Sequence, residues 1–242
     1  MSRRTALEIF HPAVAEWFTG TFPSPTTPQL LGWPAIGRGE STLMLAPTGS
    51  GKTLAAFLWC LNRLMFTPAP QASSRCRVLY ISPLKALAVD VERNLRAPLE
   101  GISAVARAQN LSVVVPEIAI RTGDTPALDR ARFGRQAADI LITTPESLFL
   151  LLTSNARERL VSIDTVIIDE IHALVPGKRG AHLALSLERL EALRDTKRDG
   201  LQRIGLSATQ RPLEEVARFL GGAASSGKSR SRRAKKVDRA AT

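Results

Sequence analysis

The sequence predicts an α/β fold, a mostly parallel sheet with helices on both faces. Two patterns and one loop carry that expectation. Short apolar runs recur at residues 42–46, 78–81, 118–120, 140–142, 166–168 and 204–206, most of them β-branched and nearly continuous. Strands buried on both faces read this way, because neither side of the sheet meets water. Between the runs lie helix-period segments. Leu84, Leu87, Val91 and Leu95 repeat at three and four residues, as do Leu183, Leu187, Leu190 and Leu193. Strands alternating with helices make βα units, which stack into a parallel sheet. The loop after the first run is rich in glycine, as a phosphate-binding turn requires.

Residues 1–40 precede this alternation. They hold Phe10, Trp17, Phe18, Phe22 and Trp33 among Pro12, Pro23, Pro25, Pro28 and Pro34. The pattern reads as one short helix followed by a proline-stiffened, aromatic loop. Residues 41–222 form the expected core domain, closing with a helix near 212–220. After Gly221-Gly222 the composition falls to Ala, Ser, Lys and Arg with no apolar period. Residues 223–242 are therefore expected to be a disordered basic tail.

Composition excludes several classes. A chain of 242 residues, 44% hydrophobic and 23% charged, buries roughly 70% of its unfolded surface and needs no disulfide or metal to fold. Cys60 and Cys76 are too few for a disulfide scaffold and read as ordinary thiols in a reducing cytosol. No apolar run nears the ~20 residues of a membrane helix. Met1-Ser2-Arg3-Arg4 resembles a signal n-region, but no apolar stretch follows it. The expectation is a cytoplasmic protein with no membrane partner. The net charge is +11, and the tail, with seven basic residues and one acid, carries +6 of it. Nucleic acid is the natural partner for that balance. A merely solubilising tail is the plain alternative.

The segment Ala46-Pro47-Thr48-Gly49-Ser50-Gly51-Lys52-Thr53 follows a strand and opens a helix. Glycines let backbone N–H groups turn inward onto phosphate oxygens, and the helix offers its positive end. Lys52 is placed to reach the β- and γ-phosphates, and Thr53 to ligate Mg²⁺. Ala46 stands where many such loops begin with glycine. Further on, Val166-Ile167-Ile168 ends in Asp169-Glu170. Neighbouring residues at a strand's end turn apart, so one carboxylate can hold Mg²⁺ while the other polarises water. Asp169 is assigned to the metal and Glu170 to general base. His172, two residues on, is placed to couple the site to something else.

The ordered series Gln29, APTGSGKT, SPLKAL, RTGDT, TTPESL, DEIH and SAT resembles the first RecA-like lobe of a superfamily 2 DEAD/DEAH-box helicase. Phe22-x-x-Pro25-Thr26-x-x-Gln29, Gly32-Trp33-Pro34-Ala35-Ile36, Lys178-Arg179-Gly180 and 203–209 narrow the likeness to the large helicase-related (Lhr) family. It runs from about Phe10 to Gly222. The resemblance implies a RecA-like P-loop NTPase domain, with ATP and Mg²⁺ as cofactors. It implies that Gln29 reads adenine through its amide, and it makes Phe10 or Phe22 a candidate to stack on the base, with ordinary aromatic packing the commoner role for each. Pro83 and Lys85, then Thr122, Gly123 and Asp124, then Thr144, Pro145, Glu146 and Ser147, match loops that track a nucleic-acid strand. Taken singly, Ser82, Thr144 and Ser147 also suit ordinary helix caps. Ser207, Ala208 and Thr209 match the segment linking ATP to strand binding. Lys178 and Arg179 are candidate nucleic-acid contacts or a solvated pair.

By resemblance the chain is an ATP-dependent helicase acting on DNA in preference to RNA, with 3′-to-5′ polarity. Superfamily 2 motors set ATP between two lobes, and the second supplies arginine fingers. Too few residues follow Thr209 for that lobe, so the sequence suggests truncation before it, or a separate chain that supplies it. Slow ATP hydrolysis alone, and no unwinding, are expected. The alternative is a non-catalytic ATP- and nucleic-acid-binding fragment, or the regulatory half of a split helicase.

Overall fold

The computed structural model describes residues 6–136, 138–194, 200–208 and 213–222. Among the described residues, six strands form one sheet: β1 (Thr42–Leu45), β2 (Val78–Ile81), β3 (Ile118–Arg121), β4 (Ile140–Thr143), β5 (Thr165–Ile168) and β6 (Gln202–Ser207). Their spatial order is β1-β6-β5-β2-β4-β3, and every pairing is parallel. The strands lie within about two residues of the apolar runs. Period 2 then sorts side chains by face. Val78 and Tyr80 join one core while Leu79 and Ile81 join the other.

The first face is covered by α1 (Pro12–Thr21), α2 (Thr27–Gly37), α3 (Lys52–Met65) and α4 (Lys85–Ala108). The second is covered by α5 (Ala127–Arg135), α6 (Pro145–Leu152), α7 (Ile171–Leu174), α8 (Lys178–Leu193) and α9 (Leu213–Gly221). Both faces of the sheet are thus buried, which is why the strands tolerate unbroken aliphatic runs. No helix among the described residues is long and apolar enough to cross a membrane.

The N-terminal segment corrects the sequence reading. Residues 27–37, expected as a loop, form the helix α2. Pro28 falls in its first turn, where a missing N–H costs nothing. The Gln29 side chain reaches back to accept from the Thr26 N–H at 2.9 Å, half of a capping box. Pro34 lies inside this helix. Trp33 is fully buried and donates from its indole to Ala55 O at 3.1 Å, bolting α2 onto α3.

Phe10 is also core. It is 6% exposed and meets Trp33 edge-on, with centroids 4.9 Å apart. Phe22 packs on Phe18 at 4.9 Å and on Trp17 at 5.9 Å. Packing, the alternative to adenine stacking for these rings, is the role of buried Phe10, and half-buried Phe22 also lies on aromatic neighbours, because α1 and α2 fold down onto α3 and α4. The tail, Thr209 and Pro212 lie outside the described residues.

Candidate functional site

Parallel strands end on a common edge, the edge at which open α/β sheets take their ligands. The strand order divides this edge in two. The loops after β1 and β5 carry the phosphate loop and the paired acids, and β6 ends at Ser207 beside them. Loops after β2, β3 and β4 carry the three strand-tracking candidates.

In the first half, Gly49 and Gly51 hold φ of +80° and +81°. Such angles cost other L-residues about 1–2 kcal/mol each. They curl residues 46–51 over the start of α3, whose first N–H groups have no partner within the helix. An anion placed there meets both those donors and the helix dipole. Lys52 is 6% exposed, and its Nζ donates to Pro47 O at 2.7 Å and to Ala46 O. Burial lowers the pKa of its ammonium below the ordinary lysine value, against the pull of Glu170 and Asp169. The cation and the two acids therefore share one field. Pro47, Thr48 and Gly49 are exposed, while Ser50 and Thr53 are half-buried.

Asp169 is held at both carboxylate oxygens. Oδ1 accepts from the Glu170 N–H at 2.9 Å, and Oδ2 accepts from the Tyr80 hydroxyl. Tyr80 has no exposure, and burial together with the Asp169 charge pushes its pKa up. Glu170 sits at φ 44°, ψ 40°, left-handed without being glycine. That turn splays Glu170 from Asp169 and lets α7 begin at once; a non-glycine residue there carries roughly 1–3 kcal/mol of strain. Such strain is found where a side chain must be aimed.

His172 joins the acids to β6. Its Nδ1 lies 3.3 Å from Glu170 Oε2, 3.1 Å from Ser207 Oγ and 3.3 Å from the Ala208 N–H that donates to it. His172 and Ser207, each given a linking role from the sequence, are thus in contact, and Thr209 lies outside the described residues. Gln29 is 3% exposed, and its Nε2 stands 3.5 Å from Gly51 O. It therefore braces the phosphate loop as well as capping α2.

In the second half the candidates split by burial. Thr122, Pro83, Thr144, Pro145 and Ser147 are buried, whereas Lys85, Gly123, Asp124 and Glu146 are exposed. Thr144 caps α6, accepting from the Ser147 N–H at 3.4 Å and donating to Ser147 Oγ at 3.1 Å. The cap reading therefore holds for this pair. Lys85 pairs with Asp124 at 2.6 Å, tying the loops after β2 and β3 together. Arg179 forks onto Glu146, with a second contact of 3.1 Å, and holds that carboxyl below the usual range. Arg130 donates to Thr125 O at 2.8 Å and to Gly123 O at 3.1 Å.

Tyr80 and Arg130 were not singled out from the sequence. Arg130 gave no signal. Tyr80 gave a faint one, as the chain's only tyrosine inside an aliphatic strand.

The strand order, phosphate loop and paired acids define a RecA-like P-loop NTPase domain. Comparison with known proteins narrows the class. The pattern of the family described as DEAD/DEAH box helicase matches residues 26–217. The Lhr helicase/probable uracil glycosylase of Mycolicibacterium smegmatis is 59% identical over 215 residues, 89% of this chain and 14% of that protein. The ATP-dependent helicase Lhr-Core of Methanothermobacter thermautotrophicus is 46% identical over 216 residues, 88% of this chain and 24% of that protein. The structure of Mycobacterium smegmatis helicase Lhr bound to ssDNA and AMP-PNP superposes with a TM-score of 0.84. It is 56% identical, across 91% of this chain and 27% of that one. The chain belongs to the DEAD/DEAH box helicase family and is an Lhr-type core domain. It spans 14% to 25% of the length of the Lhr relatives it matches.

Proposed function

We propose that this chain is the ATP- and nucleic-acid-binding lobe of an Lhr-type helicase, coupling ATP hydrolysis to movement along a DNA strand. The observation that carries this reading is the convergence of Lys52, Asp169 and Glu170 on one sheet edge, with His172 running from Glu170 to Ser207. Residues 41–222 are the ATP-binding domain, and residues 1–40 supply Gln29. The M. smegmatis Lhr structure, with ssDNA and AMP-PNP bound, supports a shared nucleic-acid and nucleotide role.

The chain's own residues divide the work. Backbone N–H groups of 48–53 take the phosphates. Lys52 leaves the loop carbonyls for the β- and γ-oxygens, an exchange favoured by its reduced solvation. The donors available to a divalent ion are the Thr53 hydroxyl and the Asp169 carboxylate, hard oxygens that suit Mg²⁺ completed by phosphate and water. When bound, Mg²⁺ would neutralise charge on the phosphates. Glu170 orients and deprotonates water. Gln29 offers its amide to adenine once it leaves Gly51. Lys85, Gly123, Asp124 and Glu146 face a strand's backbone, with Thr122, Pro83, Thr144, Pro145 and Ser147 shaping the loops beneath.

A partner lobe supplying an arginine finger would add about 10³–10⁵ in rate. The test is ATP turnover by the purified chain, with and without single-stranded DNA, using Lys52→Ala as the blank. DNA-stimulated turnover that Lys52→Ala abolishes supports the reading. Nucleotide binding with no turnover, even beside an added second lobe, supports a binding module instead.

A further inference from the structure

We infer that Tyr80 is a positioning residue for Asp169: its hydroxyl fixes the carboxylate in the orientation that receives Mg²⁺. The inference rests on the assignment of Asp169 to the metal.

The geometry comes from the register. Tyr80 pairs with Ile167 across β2 and β5, two residues before Asp169. Residues 167 and 169 share a face, so Asp169 points to the side of the sheet that α3 covers. The Tyr80 side chain bridges this offset, its hydroxyl donating to Asp169 Oδ2. A shorter side chain at 80 would stop below the carboxylate. The ring is fixed as well, since it lies against Phe57 of α3 with centroids 5.1 Å apart. One rigid aromatic thus spans from the phosphate-loop helix to the acid.

The consequence for Asp169 is specific. A carboxylate at the end of a strand rotates about two bonds. Here the Glu170 N–H takes Oδ1 and the Tyr80 hydroxyl takes Oδ2. Each oxygen retains a lone pair for a cation or its water. Outer partners of this kind hold a ligand in its binding orientation, and their loss typically costs ten- to a hundredfold in metal affinity. β2 also leads into Ser82, Pro83 and Lys85, so the strand that orients the acid is the one that carries the first strand-tracking loop.

The test is Mg²⁺ titration of a fluorescent, non-hydrolysable ATP analogue on the wild type, Tyr80→Phe, Asp169→Asn and the double variant. Tyr80→Phe keeps the ring and its packing on Phe57. The expected result is a rise of about tenfold in half-saturating Mg²⁺. Analogue binding without Mg²⁺ should stay within about twofold, and Tyr80→Phe should have no further effect in the Asp169→Asn background. A lowered melting temperature with unchanged Mg²⁺ dependence would make Tyr80 merely structural and overturn the inference. A wild-type Mg²⁺ dependence that Asp169→Asn leaves intact would overturn the Asp169 assignment itself, and the role of Tyr80 with it.

Discussion

His172 Nδ1 lies 3.1 Å from Ser207 Oγ and stands equally close, at 3.3 Å, to Glu170 Oε2 and the Ala208 N–H. A ring nitrogen has one in-plane bonding position. Unprotonated, it accepts from the Ala208 N–H; carrying a hydrogen, it donates to Glu170 or to Ser207 Oγ, so it serves one partner at a time. We propose that this shared nitrogen links Glu170 to the end of β6, because a change of partner at one end alters what is left for the other.

His172→Ala should leave analogue affinity in the absence of DNA within about twofold. Coupling free energies between sites run about 1–3 kcal/mol, or 5- to 150-fold. The wild type should show a DNA-dependent change in analogue affinity in that range, and the variant less than about threefold. Equal DNA dependence in both would remove His172 from the linkage.

The two left-handed glycines of the phosphate loop, Gly49 and Gly51, differ in surroundings, and their substitutions should differ too. A Cβ at Gly51 would meet Gln29 Nε2 at 2.9 Å, whereas one at Gly49 meets nothing within 4 Å. Gly49→Ala should lose about 1–2 kcal/mol from backbone strain alone. Gly51→Ala carries that strain and also displaces the Gln29 brace, so it should unfold earlier and bind the analogue more weakly. Thermal melts of both, with analogue titrations, check the order.

Phe10 was a candidate to stack on adenine and lies instead against Trp33. Phe10→Ala should cost about 3–5 kcal/mol of stability, the range for a buried aromatic. Its folded fraction should bind ATP and GTP analogues in the wild-type ratio. A changed ratio with unchanged stability would restore the stacking role.

Arg179 holds Glu146 below the ordinary carboxylate range. A depressed folded pKa contributes stability above the unfolded value, near pH 4.3, and that contribution is lost as pH falls through the folded value. Both side chains are substantially exposed, at 40% and 55%, so solvent screening keeps the effect well below about 1 kcal/mol. The Glu146 carboxyl carbon, followed by NMR, should titrate below a free glutamate and move upward in Arg179→Ala.

Much of the fold was legible because periodicity reports burial. The apolar runs at 78–81 and 166–168 read as strands buried on both faces, and the structure places them side by side. The phosphate loop was legible because its backbone needs glycine at two fixed positions. The helix at 27–37 was not, since five prolines in the first 40 residues spoke for a loop. What overrode them was the place of Pro28 in a first turn, the Gln29 cap and the burial of Trp33. Tyr80 and Arg130 were hidden for another reason. Their partners, Asp169 and the Gly123–Thr125 turn, are distant along the chain or belong to the main chain, and no local pattern records such contacts.

The proposed function stands on nucleotide binding by Lys52 and its loop. The most direct measurement is calorimetric titration of Mg²⁺ and AMP-PNP into the wild type and into Lys52→Ala, with melting curves of both proteins. The expected result is saturable, one-site binding to the wild type and at least tenfold weaker binding to Lys52→Ala, worth about 1.4 kcal/mol or more, at a similar melting temperature. Equal affinity in the two proteins, or no binding to a folded wild type, would contradict it.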